Sequence, residues 1–370
     1  MKGSHGGDIW GASRGSGVSP GAIIDFSASV NPRASHKAEE AVKGALEEKI
    51  NISSYPEPGS GELKKAISSF HGLGVENILP GNGSTELIYL IPRVFRPKTA
   101  LIVEPAFSEY RTSLALSGCK VFEHLSREEE GFAPELKRLK AALEKTLPEV
   151  LYISNPSNPT GVLLEKNFMV ELIGVSETLG IITVVDEAFM DFCEADSVKK
   201  ETPGFEGLVV LRSMTKFFSL AGLRLGYAIA HAHVIERLSE HMPPWSVNAF
   251  ARAAGIGALS DRPYIEETRR WFATEREFLQ DSLNEIRGLK VFPAAANFFM
   301  IKILEPSITA PTLKAALLEK GILIRDLSDF RGLGPEYFRI AVRERTDNTA
   351  LVENLKRIFT KKPLQASPVV

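Results

Sequence analysis

Short apolar runs bounded by glycine, proline or polar turns recur along the first two thirds of the chain, alternating with stretches of helical period. Ala100–Val103, Lys120–Leu125, Val150–Ile153, Ile181–Val185, Leu208–Leu211 and Leu225–Ile229 read as strands. Leu87–Ile91, Glu135–Lys145 and Phe168–Leu179 read as helices, and Gly180 stands where a helix-stopping glycine belongs. Strand–helix–strand units of this length predict a mostly parallel sheet flanked by helices, the α/β class. Upstream, a Gly-rich arm carries one apolar piece, Ile23–Phe26. Ser35 then caps a helix from His36 to Lys49, and a loop at 53–61 precedes a helix at Glu62–Phe70.

Past Tyr227 the pattern is helical apart from Met242–Asn248, and a long amphipathic helix, Arg262–Arg287, leads to a smaller α+β domain. Its expected strands are Lys290–Phe292, Phe298–Ile303, Ile322–Arg325 and Tyr337–Arg343; its helices are Pro311–Lys320 and Asp347–Phe359. The expected organisation is an arm (1–45) joining the small domain, a large domain (46–287), the rest of the small domain (288–361) and a tail (362–370).

Composition narrows the partners. A chain of 370 residues with 44% hydrophobic and 24% charged residues is ordinary for a globular protein. A net charge of −2 gives no electrostatic reason to expect nucleic acid or an anionic membrane. No apolar stretch nears the ~20 residues of a membrane span, and Met1–Asp8 lacks the apolar run of a signal peptide, so a cytoplasmic location is expected. Cys119 and Cys193 show no metal-ligand spacing; they are expected to be packing residues, and no metal is expected.

Chemistry gathers at predicted strand ends, where open α/β sheets bind ligands. After Leu208–Leu211 comes Ser213-Met-Thr-Lys216, then Arg224. A sheltered lysine can lose its charge and form a Schiff base with a carbonyl, while Ser213 and Arg224 suit a phosphate. Lysine, hydroxyl and arginine together suggest pyridoxal phosphate. Gly81-Asn-Gly83-Ser84-Thr85 opens a helix and presents free amides to an anion. Phe107, Asn158 and Asp186 follow three other strands, and a buried Asp186 would suit a protonated pyridine nitrogen. Arg325 and Arg339 lie in apolar strands and require an anion. Each feature alone also fits an ordinary loop lysine, helix cap or ion pair; their shared position at strand ends is the stronger signal.

Taken together, Asn158-Pro-Thr-Gly161, Asp186-Glu-Ala-Phe189 and Ser213…Lys216…Arg224-Leu-Gly resemble the fold-type I pyridoxal-phosphate enzymes of the aspartate aminotransferase superfamily. The branch they most resemble holds histidinol-phosphate aminotransferases and phosphothreonine decarboxylases. The resemblance implies that Lys216 carries the cofactor, Asp186 pairs its ring nitrogen, Asn158 bonds its O3′ and Phe107 stacks on its ring. It implies a phosphate site at Gly83, Ser84, Thr85, Ser213 and Arg224, and a homodimer in which Tyr55 reaches the neighbouring subunit's cofactor.

Three further features resemble the decarboxylases: His5-Gly-Gly-Asp with Asp25-Phe-Ser-Ala-Ser-Val-Asn31-Pro, the stretch Met242-Pro-Pro-Trp-Ser-Val-Asn248 with one extra proline, and Phe189 where aminotransferases of the branch usually carry tyrosine. They imply that His5, Gly6, Asn31, Asn158, Arg325 and Arg339 contact L-threonine O-3-phosphate. They also imply that the product enters cobalamin nucleotide-loop assembly. The alternatives are amino transfer on histidinol phosphate or a related substrate, and a non-catalytic ligand sensor.

Overall fold

The computed structural model describes residues 5–48 and 50–360; the expected tail and Lys49 lie outside them. The arm begins with a helix that the apolar pattern does not show, α1 (Ile9–Ser16). It buries no residue, so it carries no apolar stripe; what starts it is Asp8, whose side chain accepts from the Gly11 amide at 2.7 Å. Strand β1 (Ile24–Asp25) follows. Helix α2 (His36–Glu47) is capped by Ser35 as expected, and α3 (Ile50–Ser53) and α4 (Gly61–His71) lead to the large sheet.

That sheet contains β2 (Ile78–Asn82), β3 (Thr99–Glu104), β4 (Lys120–Leu125), β5 (Val150–Ser154), β6 (Ile182–Asp186), β7 (Leu208–Ser213) and β8 (Leu225–Ala230). Their order is β2-β8-β7-β6-β5-β3-β4. Pairs among β3 to β7 are parallel, whereas β8 runs antiparallel to both β7 and β2. Strand β2 is not visible in the pattern because Pro80 and Gly81 interrupt it. It lies at the sheet edge, where a proline costs no ladder bond.

Helices α5 (Gly83–Phe95), α6 (Ser108–Leu116), α7 (Leu136–Thr146) and α8 (Lys166–Thr178) cover the sheet. Alternate residues of one strand enter different cores. Leu151 and Ile153 pack with Leu63 and Leu172 on one face, while Val150 and Tyr152 pack with Leu87 and Leu114 on the other. Each fully buried aliphatic side chain contributes about 1.5–3 kcal/mol, so the strand ends form a stiff rim.

Helices α9 (Ala232–Ser239), α10 (Ala249–Ser260) and α11 (Arg262–Asn284) come next. The remaining elements are β9 (Leu289–Val291), β10 (Phe298–Ile303), α12 (Ala310–Leu318), β11 (Ile322–Leu323), β12 (Arg325–Asp326), β13 (Tyr337–Ala341) and α13 (Arg345–Thr360). An antiparallel sheet, β12-β13-β10-β9, packs a third core that includes Phe272, Phe299 and Leu351. The run expected as one strand at Ile322–Arg325 divides at Ile324. Its first half pairs in parallel with β1 of the arm, and its second pairs with β13. Among the described residues no helix is long and apolar enough to cross a membrane.

Candidate active site

Because β8 runs against β7, its first residues lie beside the carboxyl ends of the parallel strands: Leu225 pairs with Asn82, and Gly226 with Ser213. The polar residues read at strand ends therefore meet at one rim. Ser84, Thr85, Phe107, Asn158 and Asp186 line a cavity of about 340 Å³. Ser213, Lys216 and Arg224 line it from the β7–β8 side. The arm contributes His5 and Gly6, and the four-stranded sheet contributes Arg325 and Arg339.

Lys216 is half-buried in the cavity wall, its amine 5.7 Å from the centre of the Phe189 ring. Burial, then the charges of Arg339 and Arg224, push the amine down to about 8, against the opposing pull of Asp186. Near neutral pH the amine therefore holds an exchangeable proton. Asp186 is 5% exposed, and burial raises its carboxyl above the ordinary value. Two donors oppose that rise: the Tyr110 hydroxyl to Oδ2 at 2.6 Å and the Ala188 amide to Oδ1 at 2.9 Å. Tyr110, itself buried and stacked on Tyr152, has its own ionisation pushed well upward, so it remains a donor.

The arginines face each other. Arg325 and Arg339 are directly paired across β12 and β13, both nearly buried. Like charges placed opposite one another repel, and burial followed by Arg325 weighs against the Arg339 charge. Arg339 donates to the Ser27 carbonyl at 3.1 Å and to Asn158 Oδ1, while its Nε has no partner. Arg325 donates to both oxygens of Asp329, at 3.0 and 3.1 Å. Such a pair suits a ligand bearing more than one anionic group.

A second anion site opens at α5. Its first amides, at Gly83, Ser84 and Thr85, have no helical acceptor and sit at the positive end of the helix dipole. Gly83 has φ +75°, and a Cβ there would lie 2.6 Å from Arg224 Nη2. A Cβ on Gly226 would lie 2.4 Å from the Ser84 nitrogen. The absence of both carbons allows backbone and guanidinium to close around a small anion, with the linked hydroxyls of Ser213 and Thr215 beside them. Amides, hydroxyls and arginine for a phosphate, a lysine for an aldehyde and a buried carboxylate for a ring nitrogen together fit pyridoxal phosphate.

Three expected residues lie elsewhere. Asn31 is behind the Lys216 loop; its amide donates to the Phe217 carbonyl at 2.9 Å, and its backbone N–H donates to the Lys216 carbonyl. Tyr55 is 78% exposed and stacks on Trp245 at 4.3 Å, away from this chain's cavity. Gly83 stands just outside the lining, acting through backbone shape. Sequence reading missed Tyr110, Thr215 and Glu109. Glu109 pairs with His5 at 3.1 Å and accepts from the Tyr89 hydroxyl. Both Glu109 and Tyr110 lie on α6, a helix with a weak apolar stripe, so periodicity gave no sign of them.

Residues 22–355 match the family model described as aminotransferase class I and II. The threonine-phosphate decarboxylase of Salmonella typhimurium is 34% identical over 365 residues, covering 96% of this chain and 97% of its own length. The histidinol-phosphate aminotransferase of Thermoanaerobacter pseudethanolicus is 32% identical over 325 residues, covering 87% and 89%. The crystal structure of L-threonine-O-3-phosphate decarboxylase from Porphyromonas gingivalis superposes with a TM-score of 0.78 at 28% identity, covering 91% of this chain and 99% of that one.

Proposed function

This chain belongs to the aminotransferase class I and II family, and from that premise we propose that it is a pyridoxal-phosphate-dependent decarboxylase. Its substrate is L-threonine O-3-phosphate, and its products are carbon dioxide and (R)-1-amino-2-propanol O-2-phosphate for cobalamin biosynthesis. The observation that carries this reading is the arm. His5 and Gly6 form part of the cavity wall that also holds the opposed Arg325 and Arg339. A substrate with a phosphate and a carboxylate meets both needs of that wall. The longer match to the Salmonella decarboxylase than to the Thermoanaerobacter aminotransferase agrees with it.

When bound, pyridoxal phosphate supplies the electron sink for the pair left at Cα as a bond to it breaks. The residues of this chain decide the rest. Ser84, Thr85, Ser213 and Arg224 would hold the cofactor phosphate, Phe107 would cover its ring, Asn158 would donate to O3′, and Asp186 would keep its ring nitrogen charged. Phe189 has no hydroxyl to donate there, which leaves Asn158 as the neutral donor. Lys216 would anchor the cofactor, and its amine, which holds an exchangeable proton, would supply the proton that Cα takes up once carbon dioxide has left. Arg325 and Arg339 would hold the substrate's anionic groups, and the orientation they impose would select carboxylate loss over proton loss.

The enzyme acts in the cytoplasm as a homodimer, with Tyr55 and its neighbour Trp245 facing the second subunit. One assay on purified protein tests the reading: carbon dioxide release from L-threonine O-3-phosphate measured beside keto acid formation. Stoichiometric carbon dioxide is expected. Turnover of 2-oxoglutarate with histidinol phosphate, without carbon dioxide release, would select the aminotransferase instead.

A further inference from the structure

Away from the cavity, at the other end of the large sheet, the antiparallel pairing of β7 and β8 brings two chain segments together. Val209 pairs with Ala230, so the residues entering β7 lie beside those leaving β8. Glu206 is in the first segment; His231 and His233 are in the second, at the start of α9. The Nδ1 atoms of the two histidines are 2.7 Å apart, and among the described residues this is the hydrogen bond their rings share. One ligand atom from each of Glu206, His231 and His233 lies within 4.8 Å of the other two. We propose that these three residues form a binding site for a divalent transition-metal cation of the zinc type, separate from the catalytic rim.

The donor set fits the ion. Two imidazole nitrogens and one carboxylate are zinc ligands, and a fourth position facing solvent accepts water. Nitrogens bound at ~2.0–2.1 Å in a tetrahedron are about 3.3 Å apart, so the rings must separate by about 0.6 Å. Glu206 and His233 are exposed and His231 is half-buried, so small side-chain rotations suffice. Without an ion, the Nδ1–H of one ring donates to the Nδ1 lone pair of the other; with an ion, the donor ring's proton moves to Nε2 and both Nδ1 lone pairs face the metal.

The backbone beneath the carboxylate is held in place. Glu177 accepts from the amides of Glu206 and Gly207, at 3.1 and 3.0 Å, which pins the segment bearing the carboxylate. Arg237, the cation lining the same depression, lies over the Phe95 ring at 4.7 Å. The positive end of α9 opposes a cation, and the charge of Glu206 offsets it. The two cysteines offered no ligand spacing; this grouping arises from strand pairing, which a search by spacing does not see.

The test is a calorimetric titration of the full-length, cofactor-loaded protein with Zn²⁺ in chelator-free buffer, followed by Co²⁺ absorption spectroscopy. One ion per chain is expected, with a cobalt spectrum of low coordination number. His231→Ala and His233→Ala should each weaken binding by at least ~10-fold, the lower bound seen for losing even a supporting contact. Glu206→Gln should weaken it less, and carbon dioxide release should be unchanged in all three. Absence of binding to the wild-type protein would overturn the proposal. So would a titration unaltered in the His231→Ala/His233→Ala double variant, since the ion would then reside elsewhere.

Discussion

Lys216 holds its amine near 8 instead of the usual 10.5, chiefly because charging it at this depth is costly. A lysine lowered on folding reduces stability wherever it is charged in both states, below about pH 8. The loss fades as pH rises towards 10.5, since the unfolded chain binds the extra proton across that window. In cofactor-stripped protein, Lys216→Met should therefore be more stable than wild type by about 2 kcal/mol at pH 7, a figure reduced for solvent reaching the amine through the cavity. The two proteins should converge near pH 10.5. Urea unfolding at several pH values checks this, and a pH-independent difference would assign the gain to packing. Tyr110→Phe is the complementary case. It removes the donor at 2.6 Å from Asp186 and leaves a buried carboxyl more readily protonated. Hydrogen bonds to charged groups contribute about 1.5–3 kcal/mol, so kcat/KM should fall roughly 10- to 100-fold, with the fall steepest at low pH.

At the scale of elements, the anion site depends on two missing Cβ atoms. Gly226→Ala would set a methyl 2.4 Å from the Ser84 nitrogen and 2.9 Å from the Arg212 carbonyl, between β8 and the start of α5. Overpacking of this kind costs about 1–3 kcal/mol, and here it also moves the amides that face the phosphate. Cofactor dissociation, followed by visible absorbance on dilution, should be faster in Gly226→Ala. An unchanged off-rate would separate that glycine from the phosphate. The strand ends were legible in the sequence because apolar runs such as Ile181–Val185 lead straight into Asp186. Lys216 and Arg224 were legible from their place between two such runs. What was hidden depends on distant pairing. Nothing local shows that Ile322–Arg325 must divide between the arm and β13, or that Tyr110 on α6 lies against the last residue of β6.

At the scale of the molecule, the site draws on the arm, the large sheet and the four-stranded sheet, and Arg339 touches the first two from the third. Arg339→Ala should raise KM for the phosphorylated substrate far more than it weakens cofactor retention; equal losses would mean it braces the assembly. Tyr55, exposed in one chain, gives a test of sharing between subunits. Lys216→Ala and Tyr55→Ala proteins, each impaired alone, should regain about a quarter of wild-type activity when mixed and reassembled, since in a two-fold dimer half of the molecules would carry one intact site. No recovery would confine Tyr55 to its own subunit.

The pairing of Ile24 with Ile322 and of Asp25 with Leu323 bears also on the order of birth. The arm emerges from the ribosome before the sheets, yet its strand has no partner until residue 323 has followed. At about 5–20 residues per second that wait is on the order of 15–60 s, during which the large sheet can assemble while the wall bearing His5 and Gly6 stays undocked. Nascent chains arrested before residue 322 should therefore acquire a protease-resistant core and yet leave the arm open to cleavage. Full catalytic competence would then arrive only after residue 323 has emerged.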